Sequence, residues 1–151
     1  MTDLTPDQIA TIDSAIAILG DLFKKQDLLA TSPDRVKQFC QLQAGHIEHE
    51  VFGVLLLDNQ HQLIESVVLF RGTVDGASVY PREVVKEVLS VNAAACIFFH
   101  NHPSGVQEPS EADRRITKRL SDALGLIDVR VLDHLIVTYR GSYSFAEAGL
   151  I

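Results

Sequence analysis

The chemistry-bearing side chains concentrate in one stretch: His100-Asn101-His102-Pro103-Ser104-Gly105, then Pro109-Ser110-Glu111-Ala112-Asp113. His100 and His102 stand two residues apart at the end of an apolar run. In an extended chain that spacing sends both rings to the same side of the backbone, where one cation could take both. Pro103-Ser104-Gly105 turns the chain back, Ser110 starts a helix, and Asp113 falls in its first turn. Two imidazole nitrogens and one carboxylate oxygen form a three-ligand set that suits zinc. A fourth position stays open for water, as in catalytic rather than structural sites. Ser110 and Asp113 also form S-x-x-D, an ordinary capping box. Both roles are compatible, because the Ser110 backbone can start the helix while its hydroxyl faces the site.

The remaining polar candidates carry less. Asp133-His134 sits inside an apolar strand, where a buried histidine needs a partner. It reads as a satisfied core histidine or as outer support for the site rather than as a fourth ligand. Arg82, in Pro81-Arg82-Glu83, reads as a helix-start ion pair, with recognition of a substrate carboxylate as the alternative. His46 and His49 read as surface residues. Cys40 and Cys96 have no C-x-x-C spacing and apolar neighbours, so both are expected to be buried free thiols of a reducing cytosol. Cys96 is given no catalytic role.

The elements that must position the site follow from periodicity. Thr5, Pro6 and Gln8 open a helix with a capping box. Ile9, Ile12, Ile16, Leu19 and Phe23 form its apolar stripe. Ser32-Pro33 starts a second helix with Val36, Phe39 and Cys40 inward, ended by Gly45. Val51 to Leu57 suits a strand buried on both faces. The turn Asp58-Asn59-Gln60-His61 and the run Leu63 to Phe70 complete a hairpin. Gly72 and Gly76 mark a loop. Pro81 opens a helix with Val84, Val85, Val88 and Leu89 as its apolar face. Ala93 to Phe99 is a central strand ending at His100. Ser110 caps a helix with Ile116, Leu120 and Leu124 in register, stopped near Gly125. Val129 to Tyr139 and Ser142 to Phe145 are the last strands. The order α α β β α β α β β predicts an α/β fold: one mixed sheet flanked by helices. Ile16, Leu55, Val88, Ile97, Phe98, Leu120 and Val131 are the expected core.

Bulk properties exclude several classes. At 151 residues, 46% hydrophobic and 22% charged, the chain matches one globular domain and neither a disordered nor a fibrous protein. A core of that size folds without a disulfide or metal. Lys plus Arg is 13 against 20 for Asp plus Glu, a net charge of −7, which argues against sequence-independent nucleic-acid binding. The N-terminus does not read as a signal peptide, and no apolar run is long enough for a membrane span. A cytoplasmic protein with no membrane partner is expected.

The spacing H-x-H, seven residues, Ser, two residues, Asp matches the JAMM signature of the MPN (JAB) metalloprotease-like domain at His100, His102, Ser110 and Asp113. The strings HNHPSG and PSEAD, with GTVDGASVYPREVVKEVLSVNAAA before them and LGLIDVRVLDHLIVT after them, resemble the RadC family in particular. The resemblance runs from about Ser32 to the C-terminus. It implies a helical leader over 1–31 and an MPN (JAB) RadC-like domain over 32–151, with the cytidine-deaminase-like three-layer sandwich of that fold. Full-length RadC proteins carry an N-terminal helix-hairpin-helix DNA-binding region. Only a short leader precedes the domain here, as in the short RadC-like forms of mobile elements, so direct DNA binding is not expected.

The resemblance also implies roles. Zinc would be held by His100, His102, Asp113 and a water. Glu50, in Glu50-Val51-Phe52, matches the family's E-x-F general base, with Glu48 on the same strand face as the fallback. Ser110 would hydrogen-bond a tetrahedral oxyanion. The reading is a zinc-dependent hydrolase cleaving an amide or isopeptide bond of an unidentified peptide or protein, with a family link to DNA repair. The alternatives are a non-catalytic MPN interaction module and a metal-dependent nuclease. The contiguous string His100-Asn101-His102 does not indicate an HNH nuclease, whose name-giving residues are scattered through a ββα motif.

Overall fold

The computed structural model describes residues 3–27, 33–72 and 79–151. Nine elements follow one another: α1 (Pro6–Phe23), α2 (Pro33–Ala44), β1 (Val51–Leu57), β2 (Leu63–Arg71), α3 (Pro81–Ser90), β3 (Ala95–Asn101), α4 (Glu111–Gly125), β4 (Arg130–Val137) and β5 (Ser142–Ser144). The proposed cap Ser32, the loop glycine Gly76 and the junction between leader and domain lie outside the described residues. Among the described residues no helix is long and apolar enough to cross a membrane.

The strands form one mixed sheet of five in the order β2-β1-β3-β4-β5. Only β3 and β4 run parallel; the other pairs are antiparallel. Alternation along the strands divides the core in two. Val51, Leu55, Ile97, Phe99, Leu135 and Val137 face α1 and α2, where Phe23, Phe39 and Cys40 cover them. Phe52, Val54, Leu56, Cys96 and Phe98 face α3 and α4, against Val84, Val88, Ile116, Leu120 and Leu124. The result is three layers, the α/β architecture expected of an MPN (JAB) fold.

Local signals act as read. Thr5 Oγ1 accepts from the Gln8 amide at 3.2 Å, and Gln8 Oε1 accepts from the Thr5 amide at 2.9 Å. Both cysteines are free and buried. Burial pushes both thiols up, Cys96 to about 12 and Cys40 further still, so neither is a nucleophile at neutral pH. Gly53 is favoured by packing: a Cβ there would clash with the ring edge of Phe99, its partner across β1 and β3.

Several apolar positions are less buried than expected. Ile16 and Val131 only border the core. Leu89 is 55% and Ile9 45% exposed. The short α3 packs through Val84 and Val88, and Leu89 sits about 100° round the helix from Val88. Helix α1 meets the core through Ile16, Leu19 and Phe23, downstream of Ile9. Leu120 is wholly buried, so Leu120→Ala is expected to cost about 2–5 kcal/mol as a cavity-forming change. Chemical denaturation checks this; an unchanged midpoint contradicts it.

Candidate metal centre

The crossover β3–α4–β4 brings the start of α4 to the C-terminal end of β3, where ligands of α/β sheets collect. His100 shares the face of Cys96 and Phe98 and so points toward α4. It is wholly buried, stacked on Phe52 with ring centroids 6.0 Å apart. His102 lies just past β3, its amide bonded to the Val137 carbonyl at 3.1 Å. Its Nδ1 is 2.7 Å from the Val106 carbonyl. A carbonyl only accepts, so Nδ1 carries a proton, and in the neutral ring Nε2 is bare.

Asp113 is held by the start of its own helix. Its Oδ2 accepts from the Ser110 amide at 2.8 Å, and Ser110 Oγ accepts from the Asp113 amide at 3.1 Å. The capping box therefore aims the carboxylate. Its Oδ1 lies 3.2 Å from His100 Nε2 and its Oδ2 3.2 Å from His102 Nε2, and those two nitrogens are 3.0 Å apart. Ligands on a tetrahedral zinc, each about 2.0–2.1 Å from it, sit about 3.3 Å from one another. The three residues form a donor triangle whose spacings are close to that edge length, the two carboxylate spacings ending on different oxygens of Asp113. Among the described residues no other cluster of three His, Cys, Asp or Glu side chains has this closeness.

The acidic and basic donors shift one another's protonation. Burial alone would raise the Asp113 carboxyl. The His100 and His102 rings and the Ser110 amide outweigh it and hold the carboxyl well below the usual carboxylate range. His102 is pulled down by burial but pushed up more strongly by Asp113 and the Val106 carbonyl, with Glu50 adding to the rise, so its net shift is upward. His134 is driven well below its ordinary value, first by burial and then by His100. It is no ligand here: its Nε2 meets His100 Nδ1 at 2.7 Å, behind the donor triangle.

An open cleft of about 440 Å³ exposes the centre, lined by Glu50, His102, Ser104, Val106, Glu108, Pro109, Ser110 and Asp113. Glu50 and Ser110 thus share one cavity with two of the donors. Glu48 does not. Residues 47–50 precede β1 and bend, so strand alternation fails there, and Glu48 lines a separate cavity with Asp3, Ile9 and His46. The expectation that Glu48 and Glu50 share a strand face is corrected accordingly. Arg82 is highly exposed, 3.9 Å from Glu83 and 5.1 Å over the Tyr80 ring.

A family comparison completes the picture: the RadC-like JAB domain matches residues 30–150. The chain belongs to the RadC-like JAB family. A UPF0758 protein of Vibrio cholerae is 59% identical over 138 residues, covering 91% of this chain and 87% of the relative. A UPF0758 protein of Chromohalobacter salexigens is 54% identical over 140 residues, covering 93% of this chain but only 62% of the relative. These names state no activity.

One residue of this RadC-like JAB centre escaped sequence reasoning. Asn101 lies between the two histidines and is 1% exposed on the opposite face of β3. Its Oδ1 accepts from the Val51 amide at 2.7 Å, and its Nδ2 donates to the carbonyls of Ile47 at 3.0 Å and His49 at 2.9 Å. The Asn101 amide therefore fixes the backbone on both sides of Glu50. An Asn inside an apolar strand was the available signal, because a buried amide has to be satisfied. Asn101→Ala leaves the buried Val51 amide unpaired and is expected to cost about 1–3 kcal/mol. Thermal unfolding measures this; a melting temperature equal to that of the unaltered chain contradicts it.

Proposed function

We propose that the chain is a zinc-dependent hydrolase of the JAMM type, cleaving an amide or isopeptide bond in a peptide or protein substrate. The observation that carries this reading is the cleft in which Glu50 and Ser110 border a three-donor set with one face open. Zinc, when bound, supplies a water nucleophile whose pKa is lowered to about 7. His100, His102 and Asp113 would hold the ion, all three from short, rigid segments. Glu50 takes the proton released as the nucleophile attacks the carbonyl carbon and passes it to the departing amine nitrogen, so the water is split across the broken C–N bond. The cap uses a lone pair of Ser110 Oγ, and the hydroxyl proton is left to donate to the carbonyl oxygen as it gains charge. Glu50 and Glu108 give the cleft an acidic rim, which disfavours a phosphodiester and supports the amide over the nuclease reading.

The test is elemental analysis of the purified protein together with turnover assays on peptide, isopeptide and DNA substrates, with and without chelator. Amide cleavage that is abolished by chelator and restored by zinc is expected. DNA cleavage without amide cleavage supports the nuclease reading. Bound zinc with no turnover on any of these substrates supports the interaction module.

A further inference from the structure

Behind the donor triangle a chain of hydrogen bonds runs from α4 to β4 and back to β3. Thr117, one helical turn after Asp113, has its Oγ1 2.6 Å from the Asp113 carbonyl and 2.6 Å from His134 Nδ1. His134 Nε2 in turn lies 2.7 Å from His100 Nδ1. Each contact at that distance needs one proton between its heavy atoms. The hydroxyl has a single proton and the carbonyl has none. The Thr117 proton is therefore spent on the Asp113 carbonyl, and His134 Nδ1 must supply the proton of the second contact. His134 is wholly buried, with ring centroids 4.7 Å from Phe145 and 5.5 Å from Phe52, a surrounding that disfavours the charged ring. Its single ring proton is then already placed, so Nε2 can only accept. The third contact must be filled by a proton on His100 Nδ1.

The direction of donation has a consequence at the cleft. With its proton on Nδ1, the neutral His100 ring presents a bare Nε2 to Asp113 and His102. We propose that Thr117 and His134 are positioning residues of the metal centre, holding His100 in the one tautomer that can ligate a cation through Nε2. The chain closes on itself, since it starts at the backbone of one donor, Asp113, and ends on the ring of another, His100. Two features of the fold make it possible. Asp113 and Thr117 are four residues apart and share a helix face. The parallel register sets His134 beside Phe98, one inward position before His100 on β3. Outer partners of this kind govern ligand orientation and typically change metal affinity by about 10–100-fold when removed.

This inference rests on the metal-centre reading, and the experiment separates the two. Zinc is removed from the full chain and titrated back against a competing chelator, for the unaltered protein, Thr117→Val and Thr117→Ser. Thr117→Val keeps the shape but removes the acceptor for His134, and zinc affinity is expected to fall by about 10–100-fold. Thr117→Ser restores the hydroxyl and is expected to recover the affinity, which a role in packing alone does not explain. In parallel, nitrogen-15 NMR of the histidine rings in the unaltered protein reads the tautomers directly, whatever the variants do. Protons on Nδ1 of both His134 and His100 are expected. Equal zinc affinity in a folded Thr117→Val, or a proton on His134 Nε2, overturns the inference while leaving the metal centre standing. An unaltered protein that binds no zinc overturns both.

Discussion

Alanine at any one of His100, His102 or Asp113 is expected to abolish stoichiometric zinc binding and to leave the fold in place. Each substitution reduces the protein ligands from three to two, too few for a tightly held catalytic zinc. The fold should survive because the two apolar clusters on either side of the sheet contain none of the three residues. At this chain length the core rather than an ion provides the stability. Asp113→Asn is expected to follow the alanine variants, since a neutral amide is a much poorer ligand than a carboxylate. Zinc content by elemental analysis and helical circular dichroism on the same preparations check both halves. Retention of one zinc per chain by the triple alanine variant places the site elsewhere, and loss of helical signal on zinc removal contradicts the claim about the core. The pH dependence follows with a definite sign. A zinc ion held by His102 would have to displace its proton, and His102 is raised above its ordinary 6.5. Affinity is therefore full well above that raised value and falls as pH drops through it, starting above pH 6.5 rather than below it.

Glu50→Gln is expected to keep zinc and fold but to lose hydrolysis by about 10²–10⁴-fold, the usual contribution of a placed acid–base group. Glutamine keeps the size and the hydrogen-bonding capacity of the side chain but accepts no proton at neutral pH. Glu50 borders the cleft without belonging to the donor triangle, so metal binding and turnover should separate in this variant, as they do not in Asp113→Asn. Ser110→Ala is expected to lower turnover by about 10²–10³-fold if its hydroxyl steadies the oxyanion. It also removes the side-chain half of the capping box, at a cost of about 1 kcal/mol. Zinc content, melting temperature and turnover on the same samples distinguish these effects. Full activity in Glu50→Gln removes Glu50 from the mechanism. Glu48, in a different cavity, is then a poor replacement.

The donor set was legible in the chain because every step that builds it is local. The i, i+2 spacing of His100 and His102 puts both rings on one side of an extended segment, and S-x-x-D aims Asp113 from the first turn of its own helix. Short-range backbone geometry decides both. The helices and strands were equally legible from apolar period, although Ile9 and Leu89 show that a stripe drawn from sequence can run wider than the surface available to cover it. Glu50 came from family resemblance; its separation from Glu48 came from the bend before β1, where alternation stops. What remained depended on register between distant segments. Asn101 reaches residues about fifty positions away, and His134 meets His100 across 34 positions only because β3 and β4 pair in parallel, with Phe98 beside His134. No window of neighbouring residues encodes that offset. It is set by how the crossover helix α4 packs on the sheet, and so the donor set and the Ser110 cap were written in the sequence, while the contacts of Asn101 and His134 were decided by the tertiary structure.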